Sequence, residues 1–436
     1  MNDEEFLEKK RRIKDPVAKY SGNELEYVMT VLDSEDRTAR EVPFSARLEK
    51  AFRERFGVKH AIAHNSGTST LHTCLVAAGV GAGDEVISPA HTVIMNTFAT
   101  LYVNAVPVYV DCDEDTFLMD PKEIERKITP RTRAIQVVHM HGLSCDMDAI
   151  MAIARKHKLV VIEDAAQCVL GEYKGRLAGT IGDMASFSFE FKKHLSAGEG
   201  GLVITNNSDY ATTIRKTAGL GYKTLTADSG LRNILPSDFQ NPLYKRHDSL
   251  GWNYRMPEIV AAVALAQTER MDFLVHRRQE VASYYHDAIA GCEWIVPQKL
   301  VEGATHTYWS FPVRFEGETA RGVTWRQFYD IHKANGGHGF YGGLSVVHDE
   351  PFVKDENAYL KHYLPDFDRL YRDRLASGRA RCPRADSFQP KLMVFKTNYR
   401  DLKVARGKID ILRKTISDVE RGASKARPER ASTVPA

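Results

Sequence analysis

The sequence has no apolar run near the ~20 residues that a membrane-spanning helix requires. Its 436 residues include only six cysteines, at positions 74, 112, 145, 168, 292 and 382, and no Cys-x-x-Cys pair. This pattern fits neither a disulfide scaffold nor a zinc site, so we predict buried thiols and no bound metal. The N-terminal segment MNDEEFLEKKRRIKD lacks the apolar core of a signal peptide. These absences predict a cytoplasmic protein without a membrane partner.

Excess charge of one sign is also missing from most of the chain. Lys and Arg total 60 and Asp and Glu total 57, which gives a net charge of +3. The last sixteen residues hold four basic residues and one acidic residue, which leaves 56 of each sign elsewhere. A neutral body argues against nucleic acid as a partner, because the phosphate backbone binds concentrated basic surfaces. The tail is rich in Ala, Ser and Pro, and we predict that it is disordered.

Hydrophobic residues make up 43% of the chain, which is enough for a large core. Short apolar segments alternate with helical periodicity, and the predicted strands cover 61–63, 85–87, 107–110, 134–139, 159–162, 184–189 and 202–205. This alternation is typical of an α/β fold with a mostly parallel sheet covered on both faces. Ligands bind such sheets beyond the carboxyl ends of the strands, which singles out the residues after 63, 162 and 189.

The rest of the chain predicts a second unit. The stretch Glu258 to Ala290 is predicted as one helix of about thirty residues, long enough to connect two units. Beyond it, a strand at 308–315, a glycine-rich loop at 335–343 and a helix at 406–419 predict a smaller α+β domain. We divide the chain into an N-terminal arm and helix, a large domain, a small C-terminal domain and the tail, covering 1–34, 35–290, 291–420 and 421–436.

Gly67 and Thr68 lie in the segment NSGTST (65–70), between the first predicted strand and a helix. Glycine permits close approach of an anion, and free N–H groups at a helix N-terminus favour phosphate. The same residues also form an ordinary helix N-cap. Both interpretations stay open from these residues alone.

Two charged segments follow predicted strands. Glu163 and Asp164 come at a strand end, where a carboxylate binds a metal, a sugar or a protonated ring nitrogen, or else caps the next helix. Lys192 and Lys193 lie between aromatic residues and the glycines of GEGG (198–201). Burial lowers the pKa of an amine and makes it a nucleophile or base, whereas an exposed loop lysine has neither role.

Two weaker patterns have plain structural explanations. His139 and His141 alternate along a strand and so face opposite sides, which favours core histidines over metal ligands. The glycine-rich stretch 336–343 either contacts a substrate or only turns the chain.

Taken in order, six segments resemble one enzyme family. They are NSGTSTLH (65–72), GAGDEVISPAHT (81–92), PVYVDCDEDTF (107–117), VIEDAAQ (161–167), SFSFEFKKHLSAGEGG (186–201) and LGWNYRMPE (250–258). They resemble the DegT/DnrJ/StrS sugar aminotransferases, which are pyridoxal-phosphate (PLP) enzymes of the aspartate aminotransferase fold (PLP fold type I). The resemblance covers about residues 25–415 and implies that the large domain binds PLP.

The resemblance implies roles at the reactive end of the cofactor. Lys193 takes the position of the lysine that forms the Schiff base and then moves the proton, and Lys192 is its neighbour. Asp164 matches the carboxylate that pairs with the pyridine nitrogen, and Gln167 matches the residue near the phenolic oxygen.

It also implies a phosphate site and a dimer. Ser188, Gly67 and Thr68 match the residues that bind the cofactor phosphate. Asn253 matches an asparagine that reaches the phosphate from the other subunit, which implies a homodimer with shared active sites.

The implied reaction moves an amino group from glutamate or glutamine to a keto-sugar by a ping-pong mechanism. The acceptor is a nucleotide-linked keto-sugar, a cyclitol ketone or a small phosphorylated ketone, and His338, Tyr341 and His348 are candidate substrate residues. A PLP-dependent dehydrase or lyase is the alternative, although the family's dehydrases carry histidine where this chain has Lys193. A second alternative is a protein with this fold that binds a ligand without catalysis, and the Lys193–Asp164 pair argues against it.

Two features depart from the family's pattern. Val93 stands where the family commonly has an aromatic residue that stacks on the PLP ring, so His91 or another residue has to cover the ring. The polar segment 218–248 is longer than expected, and is either a loop over the active site or a surface excursion.

Overall fold

The computed structural model describes residues 8, 19–33, 43–230, 234–354, 361–362, 364–376 and 381–422. Most of the predicted N-terminal arm and of the basic tail lies outside these residues. The division of the chain at residues 34, 290 and 420 stays a prediction. Within the described ranges, no helix is long and apolar enough to cross a membrane.

The described residues contain twelve strands, most of them within one or two residues of the predicted bounds. They are β1 (His60–His64), β2 (Glu85–Pro89), β3 (Val106–Val110), β4 (Thr132–Val138), β5 (Val160–Asp164), β6 (Glu172–Tyr173), β7 (Arg176–Leu177), β8 (Met184–Ser188), β9 (Gly201–Thr205), β10 (Ile295–Pro297), β11 (Ser310–Phe315) and β12 (Leu392–Lys396).

Seven strands form the main sheet, in the order β1-β9-β8-β5-β4-β2-β3. Only β9 runs against its neighbours β1 and β8, and the other pairs are parallel. Five of the seven strands are buried at every residue, because helices cover both faces. The predicted α/β class with a mostly parallel sheet is confirmed.

The α-helices within the described ranges pack on this sheet and on the smaller one. They are α1 (Glu24–Asp33), α2 (Phe44–Phe56), α3 (Gly67–Ala77), α4 (Met95–Tyr102), α5 (Pro121–Lys127), α6 (Met147–His157), α7 (Ser208–Ala218), α8 (Pro236–Gln240), α9 (Glu258–Thr268), α10 (Met271–Ile289), α11 (Gly317–Arg321), α12 (Trp325–Ala334), α13 (Pro351–Lys354), α14 (Pro365–Ala376), α15 (Pro383–Phe388) and α16 (Leu402–Glu420).

The single long helix predicted from Glu258 to Ala290 is wrong. The chain forms α9 and α10 instead, because Arg270 leaves the helical region with φ −111° and ψ 12°. Glu269, at the break, accepts hydrogen bonds from Asn23 and Tyr27, so contacts with the start of the chain support it. The apolar pattern continues across this turn, and therefore the break is not visible in it.

The second sheet is antiparallel and has the order β10-β11-β12. Helices α10, α12 and α16 pack around it, and their common core includes Trp294, Phe311, Phe328 and Phe395. This is the smaller α+β unit that the sequence predicts. All six cysteines are free, five of them buried and Cys292 partly buried, as their spacing predicts.

Candidate active site

The parallel strands bring several chemically active segments to one edge of the main sheet. In the pairing, Asp164 lies beside Ser186, and Ser188 lies beside Gly201. Gly201 in turn lies beside His64, at the end of β1. The segments after β1, β5 and β8 therefore meet at the same edge, where ligands of such sheets bind.

The turn before α3 requires glycine at two places. A Cβ added to Gly67 would lie 2.9 Å from the Cβ of Ser188, and one added to Gly201 would lie 2.5 Å from the carbonyl oxygen of Ser66. Only glycine permits this approach of the turn to the ends of β8 and β9. The close packing leaves Ser188 beside the first turn of α3.

The first turn of α3 offers donors for an anion. Ser66 caps the helix, since its Oγ accepts a hydrogen bond from the Ser69 N–H at 3.1 Å. The N–H groups of Gly67 and Thr68 have no acceptor within the helix, because they precede its first full turn. The Ser188 hydroxyl oxygen accepts from the Glu190 N–H at 3.3 Å and keeps its own proton to donate. The Ser66 cap therefore leaves the N–H groups of Gly67 and Thr68 available, so the turn can serve both as a helix N-cap and as an anion site.

Glu163 and Asp164 face opposite sides of β5 and have different surroundings. Burial works to raise the pKa of Glu163, but hydrogen bonds from His139 and from the Gly182 and Gly179 N–H groups outweigh it and lower the pKa. His139 Nε2 donates to Glu163 at 2.9 Å, because its Nδ1 already accepts the Cys145 N–H. Glu163 is therefore a structural carboxylate.

Asp164 is the carboxylate of the strand-end crevice. It is 4% exposed, and burial raises its pKa although the Ala166 N–H, the Lys193 charge and Asn96 all oppose the shift. Asn96 Nδ2 donates to Oδ2 and the Ala166 N–H donates to Oδ1, both at 3.1 Å. Each oxygen thus has one fixed donor, which orients the carboxylate.

Lys193 lies in the turn after β8 and is partly buried, whereas Lys192 is exposed. Its Nζ lies 4.9 Å from the centre of the Trp309 ring. Burial lowers the pKa of Lys193, the charges of Asp164 and Glu190 oppose the shift, and Arg278 reinforces it. A lysine with a lowered pKa holds more of the neutral amine that acts as nucleophile or base.

Arg278, on α10, fixes the turn that carries Lys193. Its Nη2 donates to the carbonyl oxygens of Lys192 and Lys193, both at 2.9 Å. Its Nη1 donates to the carbonyl of Trp309 at 2.6 Å and to Thr397 Oγ1 at 3.3 Å. The guanidinium is 6% exposed and joins the lysine turn to the segments around the smaller sheet.

Gln167 is oriented by the segment after β4. Its Oε1 accepts the His141 N–H at 2.8 Å, which leaves the amide NH₂ group to donate. His141 adopts φ 64°, an uncommon conformation for a residue with a Cβ, and its ring donates to or accepts from Ser310 Oγ at 2.9 Å. His139 and His141 are thus buried, hydrogen-bonded residues of the sheet edge.

Asn253 lies on the chain segment that runs beside the Gly67 turn. Its backbone pairs with Gly219, and its carbonyl accepts from Asn65 Nδ2 at 3.4 Å. Its side chain is exposed. Next to it, an open recess of about 540 Å³ is lined by Thr68, His72, Tyr102, Trp252 and other residues.

Residues 19–376 match the DegT/DnrJ/EryC1/StrS aminotransferase family. The chain belongs to this family. Over 307 residues it is 41% identical to the GDP-perosamine synthase of Caulobacter vibrioides, a match that covers 70% of this chain and 77% of that protein. The chain is therefore a sugar aminotransferase.

Two solved structures share its fold. The aminotransferase from Psychrobacter cryohalolentis matches with a TM-score of 0.75 at 27% identity, over 91% of this chain and 96% of that one. DesV of S. venezuelae, solved in complex with a ketimine intermediate, matches with a TM-score of 0.73 at 28% identity, over 90% and 94% of the two chains. The predicted aspartate-aminotransferase-like fold is confirmed.

The three candidate substrate residues of the aminotransferase lie in different surroundings. Tyr341 is 64% exposed, and its ring centre lies 5.9 Å from Lys192 Nζ. His348 pairs with Asp386 at 2.7 Å. The ring of His338 is hydrogen-bonded to the hydroxyl of Tyr399 at 2.8 Å. Tyr341 alone of the three contacts the lysine turn, and the substrate roles stay predictions.

Three residues bear on which side chain stacks on the cofactor ring. Val93 is partly buried and follows the end of β2. His91 is 1% exposed and packs edge-on against Phe388, and its ring centre lies 5.8 Å from that of His141. Trp309, beside Lys193, is the aromatic residue that the structure brings to this edge.

The two ends of the segment 218–248 of the aminotransferase lie side by side. Tyr222 pairs with His247, and Lys216 forms an ion pair with Asp248 at 2.7 Å. Most of its residues from 234 to 248 are exposed, including Leu243 at 78%. These contacts favour a surface excursion, and the chain that follows it reaches the Gly67 turn at Asn253.

Sequence reasoning missed Asn96, Trp309 and Arg278. Asn96 follows β2, which runs parallel to its neighbour β4. The rule that ligands bind beyond the carboxyl ends of the strands therefore applies to the segment after β2 as well, and it could have identified Asn96. Trp309 and Arg278 come from distant parts of the chain, and no local pattern marks them.

Proposed function

We propose that this sugar aminotransferase uses PLP, with Lys193 as the catalytic amine and Asp164 as the partner of the pyridine nitrogen. One observation carries the proposal. A partly buried lysine and a buried carboxylate interact across the strand-end crevice, and each charge opposes the shift that burial imposes on the pKa of the other. Such pairs of perturbed groups in a crevice mark active sites.

The residues at this edge fit the cofactor. The Gly67 turn, with Thr68 and Ser188, presents N–H and hydroxyl donors suited to a phosphate. Asp164 is a buried acceptor for a protonated ring nitrogen, and the free NH₂ of Gln167 suits an oxygen atom. When bound, PLP supplies an electron sink for charge that develops at a carbon next to nitrogen.

Asp164, Lys193 and Trp309 have different roles in the proposed reaction. Asp164, oriented by Asn96 and the Ala166 N–H, accepts a proton-bearing group in a fixed direction and stabilises positive charge there. Lys193, held by Arg278 through its carbonyl, presents a neutral amine that takes up a proton and returns it a short distance away. Trp309 beside the amine helps to exclude water.

We propose a nucleotide-linked keto-sugar as the acceptor and glutamate or glutamine as the donor. The relative from Caulobacter vibrioides carries the name GDP-perosamine synthase, and this supports a nucleotide-linked acceptor over a cyclitol or a small phosphorylated ketone. The open recess of about 540 Å³ next to the Gly67 turn offers aromatic side chains on which a base stacks.

We further propose a homodimer with shared active sites. Asn253 supports it, because its exposed side chain points away from a backbone that is anchored beside the Gly67 turn. The recess next to that turn is open and is lined by Tyr102, which is 53% exposed, and by the half-buried Trp252 and Tyr254. Aromatic side chains that are partly open to solvent are enriched at protein interfaces.

The test is a half-reaction. Purified protein with PLP is expected to show the visible absorption band of a lysine-bound cofactor, and glutamate or glutamine should bleach it. A panel of nucleotide-linked keto-sugars then restores the band only with true acceptors. A band that forms while no donor bleaches it would favour the dehydrase or lyase, and a protein that shows no band at all contradicts the PLP proposal.

A further inference from the structure

A second cavity is lined by Lys193 and His194 of the lysine turn, and its lining residues include none of the Gly67 turn. Its volume is about 120 Å³, which has room for one phosphate or carboxylate group but not for a sugar nucleotide. Among its described lining residues none is acidic. Besides Lys193, whose amine the proposed function needs neutral, four are basic: Lys19, Arg277, Arg278 and Arg400.

Two of the cations, Lys19 and Arg278, form no ion pair with a carboxylate of the described residues, and their side-chain hydrogen bonds end on other groups. Burial, helped by the charges of Arg400 and Arg278, lowers the pKa of Lys19 to about 8, although Glu190 opposes the shift. Burial and Arg400 lower the pKa of Arg278 to about 9. Arg400 itself has a pKa of about 10, lowered by burial and by a neighbouring arginine despite Glu24. The cations repel one another, and a bound anion would relieve that repulsion.

The groups are held in place by neutral acceptors. Lys19 Nζ donates to the carbonyl of Phe191 at 2.9 Å and lies over the Phe191 ring. The side-chain hydrogen bonds of Arg278 to described residues end on three carbonyls and one hydroxyl. Arg277 pairs with Glu280 through Nη1, but its Nε is buried without a partner among the described residues. These hydrogen bonds hold Lys19 and Arg278 at the wall of the cavity without pairing either of them with a carboxylate of the described residues.

His194 adds a specific requirement. Its Nε2 contacts the Thr307 carbonyl at 2.9 Å, and because a carbonyl only accepts, Nε2 carries the proton and Nδ1 is an acceptor. This Nδ1 is buried and has no donor among the described residues. A ligand that suits both the cations and this nitrogen has negative oxygens and one O–H group, as hydrogen phosphate does.

We propose that this cavity binds a phosphate group, either as the free ion or as the end of a phosphate monoester. The site is distinct from the Gly67 turn, and the proposal does not depend on the aminotransfer reaction. Its cations come from the start of the chain, α10 and the segment after β12, and the lysine turn supplies His194. An anion there ties these segments together next to the catalytic amine.

The test is calorimetric titration of the PLP-loaded protein, in which the cofactor phosphate occupies the Gly67 turn. Inorganic phosphate is the probe, glycerol 3-phosphate tests the monoester, and glutarate tests a carboxylate. We expect Lys19→Met and Arg277→Met to weaken phosphate binding by about tenfold, since each removes a charge-assisted contact. Lys122→Met, which removes an exposed positive charge on α5, serves as the matched control and should bind as the wild type does.

The outcomes separate this proposal from the proposed function. Binding of inorganic phosphate alone identifies the free ion, and binding of both probes identifies the monoester end. The proposal is overturned when the wild type binds no phosphate, when both cavity variants bind it as tightly as the control, or when only glutarate binds. Lys19→Arg keeps the charge and should restore binding, so a folding defect cannot imitate the result. A protein that binds PLP but transfers no amino group would leave all these readouts intact, and for a protein that binds no PLP the comparison of the cavity variants with Lys122→Met still tests the cavity.

Discussion

Asn96 Nδ2 donates a hydrogen bond to Asp164 Oδ2 at 3.1 Å, and both side chains are buried. Thr92 Oγ1 in turn donates to Asn96 Oδ1 at 3.2 Å, which fixes the orientation of the amide. The two residues are 68 positions apart and meet because β2 and β5 both pair with β4. Asn96 therefore acts as a positioning residue for the carboxylate.

Replacing Asn96 by alanine is expected to lower kcat/KM by about 10- to 100-fold, the effect of losing one hydrogen bond to a charged group. Asn96→Asp would place a second carboxylate beside Asp164 and raise their pKa values, so the acid limb of the pH–rate profile should move to higher pH. The matched control is Thr97→Val. Thr97 lies next to Asn96 on α4, and the change removes its buried hydrogen bond to Tyr109 on β3. Equal losses in both variants, with unchanged pH profiles, would reduce Asn96 to a structural role.

Lys193→Ala is expected to abolish aminotransfer, with a loss of at least about a thousandfold, because no other amine replaces the catalytic one. Lys192→Ala is the control, since this adjacent lysine is exposed and its removal should change the rate by less than about threefold. The half-reaction with glutamate, followed by absorbance, measures both. Loss of activity in the Lys192 variant with retention in the Lys193 variant would reverse the assignment.

Mixing two inactive variants tests the shared active site. In a mixed dimer of Lys193→Ala and Asn253→Ala, one site loses both residues and the other keeps both. Random exchange of subunits should therefore restore about a quarter of the wild-type rate, because half of the dimers are mixed and one of their two sites is intact. A mixture that stays inactive although exchange is verified by mass spectrometry would argue that Asn253 serves its own subunit.

Buried histidines should make the fold sensitive to acid. Burial lowers the pKa of His91 to about 4 and that of His306 to about 3, well below the unfolded value of about 6.5. The unfolded chain binds these protons first, so stability is complete above about pH 6.5 and is lost as pH falls toward 4. Each histidine contributes a slope of up to about 1.4 kcal/mol per pH unit.

Urea unfolding across this range measures that slope. His91→Phe should make it shallower by one proton, because an aromatic ring that packs against Phe388 is kept while the titrating group is removed. A slope that does not differ between the wild type and His91→Phe would mean that His91 titrates equally in both states.

The sequence alone was sufficient for the α/β class, the strand order along the chain and the segments that carry Lys193, Asp164 and Gly67. These features are local, because the hydrophobic period and the turn residues depend on neighbours a few positions away. The resemblance then assigned roles to single residues by motif. Element bounds moved by one or two residues in most of the predicted strands, whereas of the smaller sheet only β11 was predicted as a strand, and β10 and β12 were not.

Only the tertiary structure showed that Glu163 is a structural carboxylate and that Asp164 belongs to the crevice. It also showed that the predicted long helix is interrupted at residues 269–270, and that Asn96 contacts the carboxylate of Asp164. It also placed Arg278 behind the lysine turn and gathered the basic cavity from four distant segments. The physical reason is the same in each case. These contacts join residues far apart in the chain, so they depend on strand order and helix packing, which no local period or spacing encodes.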